Sequence, residues 1–189
     1  MAHPRLWRLF RRPVRAQFDR LAPVWDGRVG PEGLAPLVAA LERLEAPPRR
    51  VLDLGTGSGK AARAVAARFP EAGIDAVDLS PAMIEEARRH LPPELASRVR
   101  FAVADASALP FRDGEFDLVV LLNMIPFPEE LARVVAPAGC VVFASSFGAG
   151  TPIYVAPETL RSRLALLGFR GFEELAAGPG AALIAYRIV

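Results

Sequence analysis

Three aspartates and three glycines are the residues of this chain whose types and spacing are best suited to chemistry. The stretch VLDLGTGSGKAAR, Val51 to Arg63, holds Gly55, Gly57 and Gly59 at alternate positions, Asp53 two residues before the first and Lys60 directly after the last. Glycines between a strand and a helix let the backbone approach a ligand closely, and the helix start offers unpaired N–H groups to it. Asp78 follows 19 residues after Gly59, at the end of the apolar run GIDAVDL, and Asp105 ends a third such run, RVRFAVAD. A loop of this kind serves a nucleoside triphosphate, a dinucleotide or another adenosine compound.

The neighbours of the glycines separate these ligands. A triphosphate loop needs G-x-x-x-x-G-K-[ST]. Here Leu54 stands where its first glycine belongs, and Ala61 where a hydroxyl would hold magnesium. The dinucleotide form G-x-G-x-x-A is met by Gly57, Gly59 and Ala62, with Asp78 placed to accept from a ribose. Asp53, however, would repel a pyrophosphate at that strand end and would attract an ammonium group. Asp105 suits an adenine amino group. Adenosine joined to an amino acid, without phosphate, is S-adenosylmethionine. Each aspartate alone is an ordinary strand-end residue. Three at successive strand ends, with the glycine loop after the first, converge on one crevice.

The elements that must hold these residues alternate. Apolar positions at helical spacing in GPEGLAPLVAALERLEAPPRR precede the strand RVLDLG, and SGKAARAVAARF reads as the next helix. A strand (73–79), a helix opened by Ser80 and Pro81, and a third strand (98–105) follow. EFDLVVLL (115–122) is apolar throughout, as a central parallel strand should be. The helix PEELARVVA, a fifth strand (139–146) and the helix APETLRSRLALLG come next. The tail breaks at Gly178-Pro179-Gly180 into two strands with no helix between them, so they pair antiparallel or fold as an edge hairpin. Strand–helix alternation predicts an α/β domain with a mainly parallel sheet covered on both faces.

These motifs resemble the class I S-adenosylmethionine-dependent methyltransferases. VLDLGTGSG is similar to their first motif, AVDLSPAMIEEARRH to the second and VADASALPF to the third, while FDRLAPVWD (18–26) resembles the segment before the core in quinone-type members. The resemblance implies a Rossmann-like, seven-stranded, mostly parallel sheet with helices on both faces and an antiparallel edge hairpin. It also implies a cofactor site of Asp53, Gly55, Thr56, Gly57, Gly59, Asp78, Leu79, Asp105, Ala106 and Asn123, covered by Trp25. Departures are VAPAGC where the family often has LKPGG, with Gly139 kept, and NMIPF after the fourth strand in place of a histidine pair or an Asn-Pro-Pro-aromatic signature.

The rest of the sequence bounds the function. A net charge of +2 argues against a general polyanion binder, and no strong nucleic-acid signal is present. A single cysteine, Cys140, excludes an internal disulfide and a cysteine-built metal site; a buried thiol and a cytoplasmic location are expected. No run is apolar enough to span a bilayer. Residues 1–17 form a basic arm with Arg5, Arg8, Arg11, Arg12 and Arg15, expected as a frayed or solvated helix, and residues 18–189 a single domain. The expected activity is methyl transfer to a small, partly apolar acceptor bordered by Met124, Ile125, Phe127, Phe147, Ile153 and Tyr154. The alternative is a cofactor-binding regulator or subunit, and a homodimer is open. Neither His3 nor His90 is placed to act as a base, so no catalytic residue is assigned.

Overall fold

The computed structural model describes residues 4–28, 30–151 and 153–188. Seven strands form one sheet: β1 (Arg50–Leu54), β2 (Gly73–Asp78), β3 (Val99–Val103), β4 (Phe116–Leu122), β5 (Val135–Ser145), β6 (Phe169–Ala177) and β7 (Gly180–Arg187). Their order is β3-β2-β1-β4-β5-β7-β6. The first five run parallel, and β7 lies antiparallel between β5 and β6. The expected mostly parallel sheet with an antiparallel edge pair is therefore present, with the last strand inside the pair and β6 at the edge.

The apolar runs of the central strands are explained by burial on both sides. Leu52 and Leu54 of β1, with Val119 and Leu121 of β4, pack with Leu131 of helix α5 (Pro128–Val134) and with Leu160 and Leu164 of α6 (Pro157–Leu166). Val51, Leu118 and Val120 point the other way, toward Leu37 and Leu41 of α2 (Ala35–Arg43) and Val65 of α3 (Lys60–Arg68). A period of two thus places alternate residues of one strand in two different cores. The helix α4 (Pro81–Arg89) starts at the cap and proline read from the sequence: the Ser80 hydroxyl accepts the Met83 N–H at 3.1 Å.

The N-terminal segment departs from expectation. Helix α1 (Pro4–Trp25) is continuous across the boundary expected between residues 17 and 18. It is not solvated all round. Trp7 is buried, and Val14, Phe18 and Trp25 are half-buried, while Leu9, Phe10, Arg12 and Arg20 are exposed. Steps of seven, four and seven residues keep the four inner side chains on one helical stripe, and that stripe packs on the domain.

The fifth strand also differs, beginning at Val135 and not Gly139. Between Phe116/Val135 and Leu118/Cys140 its register with β4 shifts through a bulge. There Ala138 adopts φ 63°, and a Cβ on Gly139 would lie 2.8 Å from the Asp117 carbonyl oxygen. Gly139 is thus required by close packing. Ala138 carries the left-handed conformation that a glycine would adopt without steric cost. Ala138→Gly is expected to raise stability by about 0.5–1 kcal/mol. In thermal unfolding this is a midpoint rise of roughly 1–4 °C for a chain of this size. An unchanged or lowered midpoint would contradict the strain assigned to this turn.

Candidate cofactor site

The carboxyl ends of β1, β2 and β4 open into a cavity of about 240 Å³ roofed by α1. Gly55, Thr56, Gly57, Asp78, Leu79, Ala106, Asn123 and Trp25 line it. Asp53, Gly59 and Asp105 do not form its wall. Asp53 lies behind the glycine loop, Gly59 caps α3 in the left-handed region at φ 82°, and Asp105 lies beyond the wall at the amino-terminal end of α1. Trp7, Gln17, Ser58, Lys60 and Met83 line the cavity without having been singled out as ligand-facing residues from the sequence. Trp7 had a legible signal, the stripe it shares with Val14, Phe18 and Trp25.

The loop after β1 is shaped to leave room. Gly55, Gly57 and Gly59 all have positive φ, and the N–H groups of Gly55 and Thr56 bond to the Val77 carbonyl at 2.9 and 3.0 Å. A Cβ at Gly55 would lie 2.6 Å from the Met124 sulfur, and one at Gly57 would lie 3.0 Å from the Trp25 indole nitrogen. Both glycines are therefore fixed by conformation, and a side chain at either would have to displace Met124 or Trp25.

Asp53 is fully buried. The Thr56 hydroxyl donates to its Oδ2 at 2.6 Å, whereas Oδ1 has no hydrogen-bond partner among the described residues. Burial pushes its pKa up to about 7, against the pull of the Thr56 hydroxyl and the Ala62 N–H, with the neighbouring Asp78 adding to the rise. Asp78 is also raised, chiefly by burial, although the N–H groups of Ser80 and Gly57 each donate to it at 2.9 Å. Asp105 goes the other way. Burial alone would raise it, but the Ser107 N–H and hydroxyl, the Trp7 indole N–H at 2.8 Å and the Arg11 guanidinium together hold it below the usual carboxylate range.

Asn123 closes the end of β4 in the left-handed region at φ 53°. Its side chain accepts the Ser146 N–H and donates to the Ser146 hydroxyl, both at 2.8 Å, and that hydroxyl donates to the Gly33 carbonyl at 2.7 Å. This network ties β4 to β5 at the cavity rim. His90 is exposed at the end of α4 with Glu86 4.0 Å away, and His3 lies outside the described residues. Among the described residues no cluster of three or more His, Cys, Asp or Glu could hold a metal ion, and no helix is long and apolar enough to cross a membrane.

The residues fit S-adenosylmethionine. A buried carboxylate with an oxygen that has no hydrogen-bond partner among the described residues suits an ammonium group, and the glycine cradle admits a ligand at backbone distance. The sheet order is that expected of the class I S-adenosylmethionine-dependent methyltransferases that the sequence motifs resemble. Residues 51–139 match the family model described as "Methyltransferase domain".

The chain is 41% identical over 159 residues to the malonyl-[acyl-carrier protein] O-methyltransferase of Halorhodospira halophila, covering 79% of this chain and 50% of that protein. It is 42% identical over 106 residues to the demethylmenaquinone methyltransferase of Thermus thermophilus, covering 52% and 48%. The chain thus spans about half the length of these curated relatives. A solved S-adenosylmethionine-dependent methyltransferase of Aquifex aeolicus superposes with a TM-score of 0.72 at 18% identity, over 89% of this chain and 98% of that one, a likeness of fold.

The Asp53 carboxyl gives a pH dependence in the absence of cofactor. Its folded-state pKa lies above the ordinary 3.8, so its contribution to stability is complete below about pH 4 and is lost as pH rises through about 7. Asp53→Asn stays neutral and escapes that loss. From pH 5 to pH 8 the stability difference should move in favour of the variant, by roughly 2.5 kcal/mol. Urea unfolding of both proteins at the two pH values measures it, and parallel pH profiles would refute the raised pKa.

Proposed function

We propose that the protein transfers a methyl group from S-adenosylmethionine to a small, partly apolar acceptor. The observation that carries the reading is the buried Asp53 oxygen without a hydrogen-bond partner among the described residues, set behind a glycine loop that leaves its cavity open. Bound in that cavity, S-adenosylmethionine supplies an electrophilic methyl group on a good, cationic leaving group. The protein's own contribution is alignment and exclusion of water.

Asp53 would hold the ammonium end, directly or through water. Asp78 would accept from the ribose, using lone pairs left over from its two N–H contacts. Leu79, Met83 and Ala106 would give the adenine apolar surroundings, while Asp105, expected from the sequence to accept from its amino group, lies beyond the wall and is engaged by Trp7, Ser107 and Arg11. Trp25 and Phe18, packed edge to face with ring centroids 5.4 Å apart, cover the cavity. Asn123, locked by Ser146, holds the strand end where the acceptor would meet the methyl group. Both curated relatives named above are methyltransferases with different acceptors, which supports the reaction class and leaves the acceptor to this chain's own pocket.

A thermal shift with S-adenosylmethionine, S-adenosylhomocysteine and NAD side by side tests the reading. A ligand at 100 times its Kd adds about 2.7 kcal/mol of stability. Shifts are expected with the first two, lost in Asp78→Ala, together with formation of S-adenosylhomocysteine when acceptors are supplied. A shift with NAD alone would overturn the cofactor. Cofactor shifts without turnover on a broad acceptor panel would favour the regulator or subunit reading.

A further inference from the structure

A second cavity, of about 310 Å³, adjoins the first and shares Asn123, Met124 and Ile153 with it. It lies over the carboxyl ends of β4 and β5 and extends across β7 to β6, beneath the segment that leads into α6. Its volume falls within the range of small-molecule sites. We propose that this cavity is the acceptor chamber and that it takes an uncharged, mainly apolar acceptor in preference to a carboxylate. The proposal rests on the methyltransferase reading for the identity of the first cavity.

Position supports the assignment. The shared wall is the strand end after β4, so a molecule in the second cavity reaches the first without crossing the sheet. The lining supports the chemistry. Leu121, Phe143, Leu160 and Leu183 supply its apolar surface. No lysine, arginine or histidine is among the described residues that line it. Its one charged member is Glu174, paired with Arg161 at 2.7 Å, so the pair brings no net positive charge. An entering carboxylate would lose hydration and gain no opposing charge, which is costly in an apolar site. A hydroxyl-bearing or ring-shaped neutral molecule would lose little, and the hydroxyls of Ser145 and Thr151, 2.9 Å apart, offer it a neutral polar contact.

Two probes of equal framework and different charge test this: 1-naphthol and 1-naphthoate, titrated by calorimetry into protein saturated with S-adenosylhomocysteine. Naphthol is expected to bind at least tenfold more tightly. Ala181 and Ala176 face each other across β6 and β7 and line the cavity. Ala181→Phe, and independently the milder Ala176→Leu, should weaken naphthol at least tenfold while leaving the thermal shift by S-adenosylhomocysteine in place; that retained shift also shows that the variants fold. Naphthoate binding as tightly as naphthol, or both variants keeping full naphthol affinity, would overturn the proposal. Loss of the S-adenosylhomocysteine shift in the unmodified protein would count against the cofactor reading, and the naphthol comparison would still be read separately.

Discussion

A carboxyl group sealed from water sits at the centre of this domain. Asp53 lies on a strand covered on both faces, has no access to water, and uses only one of its oxygens in a side-chain hydrogen bond. A buried charge in that state is expensive, so the isolated protein holds the group near the balance between its protonated and ionised forms. A cation arriving through the glycine loop would shift that balance and recover part of the cost. The neighbouring Asp78 deepens the same effect. Thr56, with its hydroxyl on Asp53 and its place in the cavity wall, links the buried carboxyl to whatever occupies the cavity.

Helix α1 closes this site by reaching the loops after three successive parallel strands. Its Trp7 indole donates to Asp105 after β3, and its Asp19 accepts from the Ser80 hydroxyl after β2 at 2.5 Å. Just beyond the helix, Asp26 accepts from the Ser58 hydroxyl after β1 at 2.5 Å, and its carbonyl accepts from Lys60 at 2.7 Å. Trp7 also packs edge to face on Phe127 at 5.3 Å, anchoring the amino-terminal end of the cover beneath the β4–α5 connection. Cover and cavity floor are therefore one connected structure. The basic residues of the segment leave the impression of a solvated arm, but its aromatic stripe decides its position.

The sheet was legible because burial on both faces leaves continuous apolar runs, as in VLDL and LVVLL, and because Ser80-Pro81 marks a helix start by simple chemistry. Gly55, Gly57 and Asp78 were legible because a close ligand demands those residue types. Less could be read where the deciding neighbour is distant in sequence. Trp7 finds Asp105 across 98 positions. The second cavity needs β6 and β7, which come long after the β4 end they face. The insertion of β7 beside β5 is a choice of pairing that two adjacent strand patterns leave open. Ala138 shows a different limit: the bulge keeps its left-handed turn although the residue type argues against it. The sequence also placed a carboxyl at position 53 without showing that it is sealed from water, which is the property that matters most.

The exchange of a proton for a ligand's ammonium at Asp53 is most directly measured by calorimetry. S-adenosylhomocysteine would be titrated into the protein at pH 6.5 in two buffers of different ionisation enthalpy. With a free-state pKa of about 7, binding should release roughly three quarters of a proton, and Asp53→Asn should release none. Equal heats in the two buffers for the unmodified protein would mean that binding draws no proton from Asp53, which contradicts this exchange.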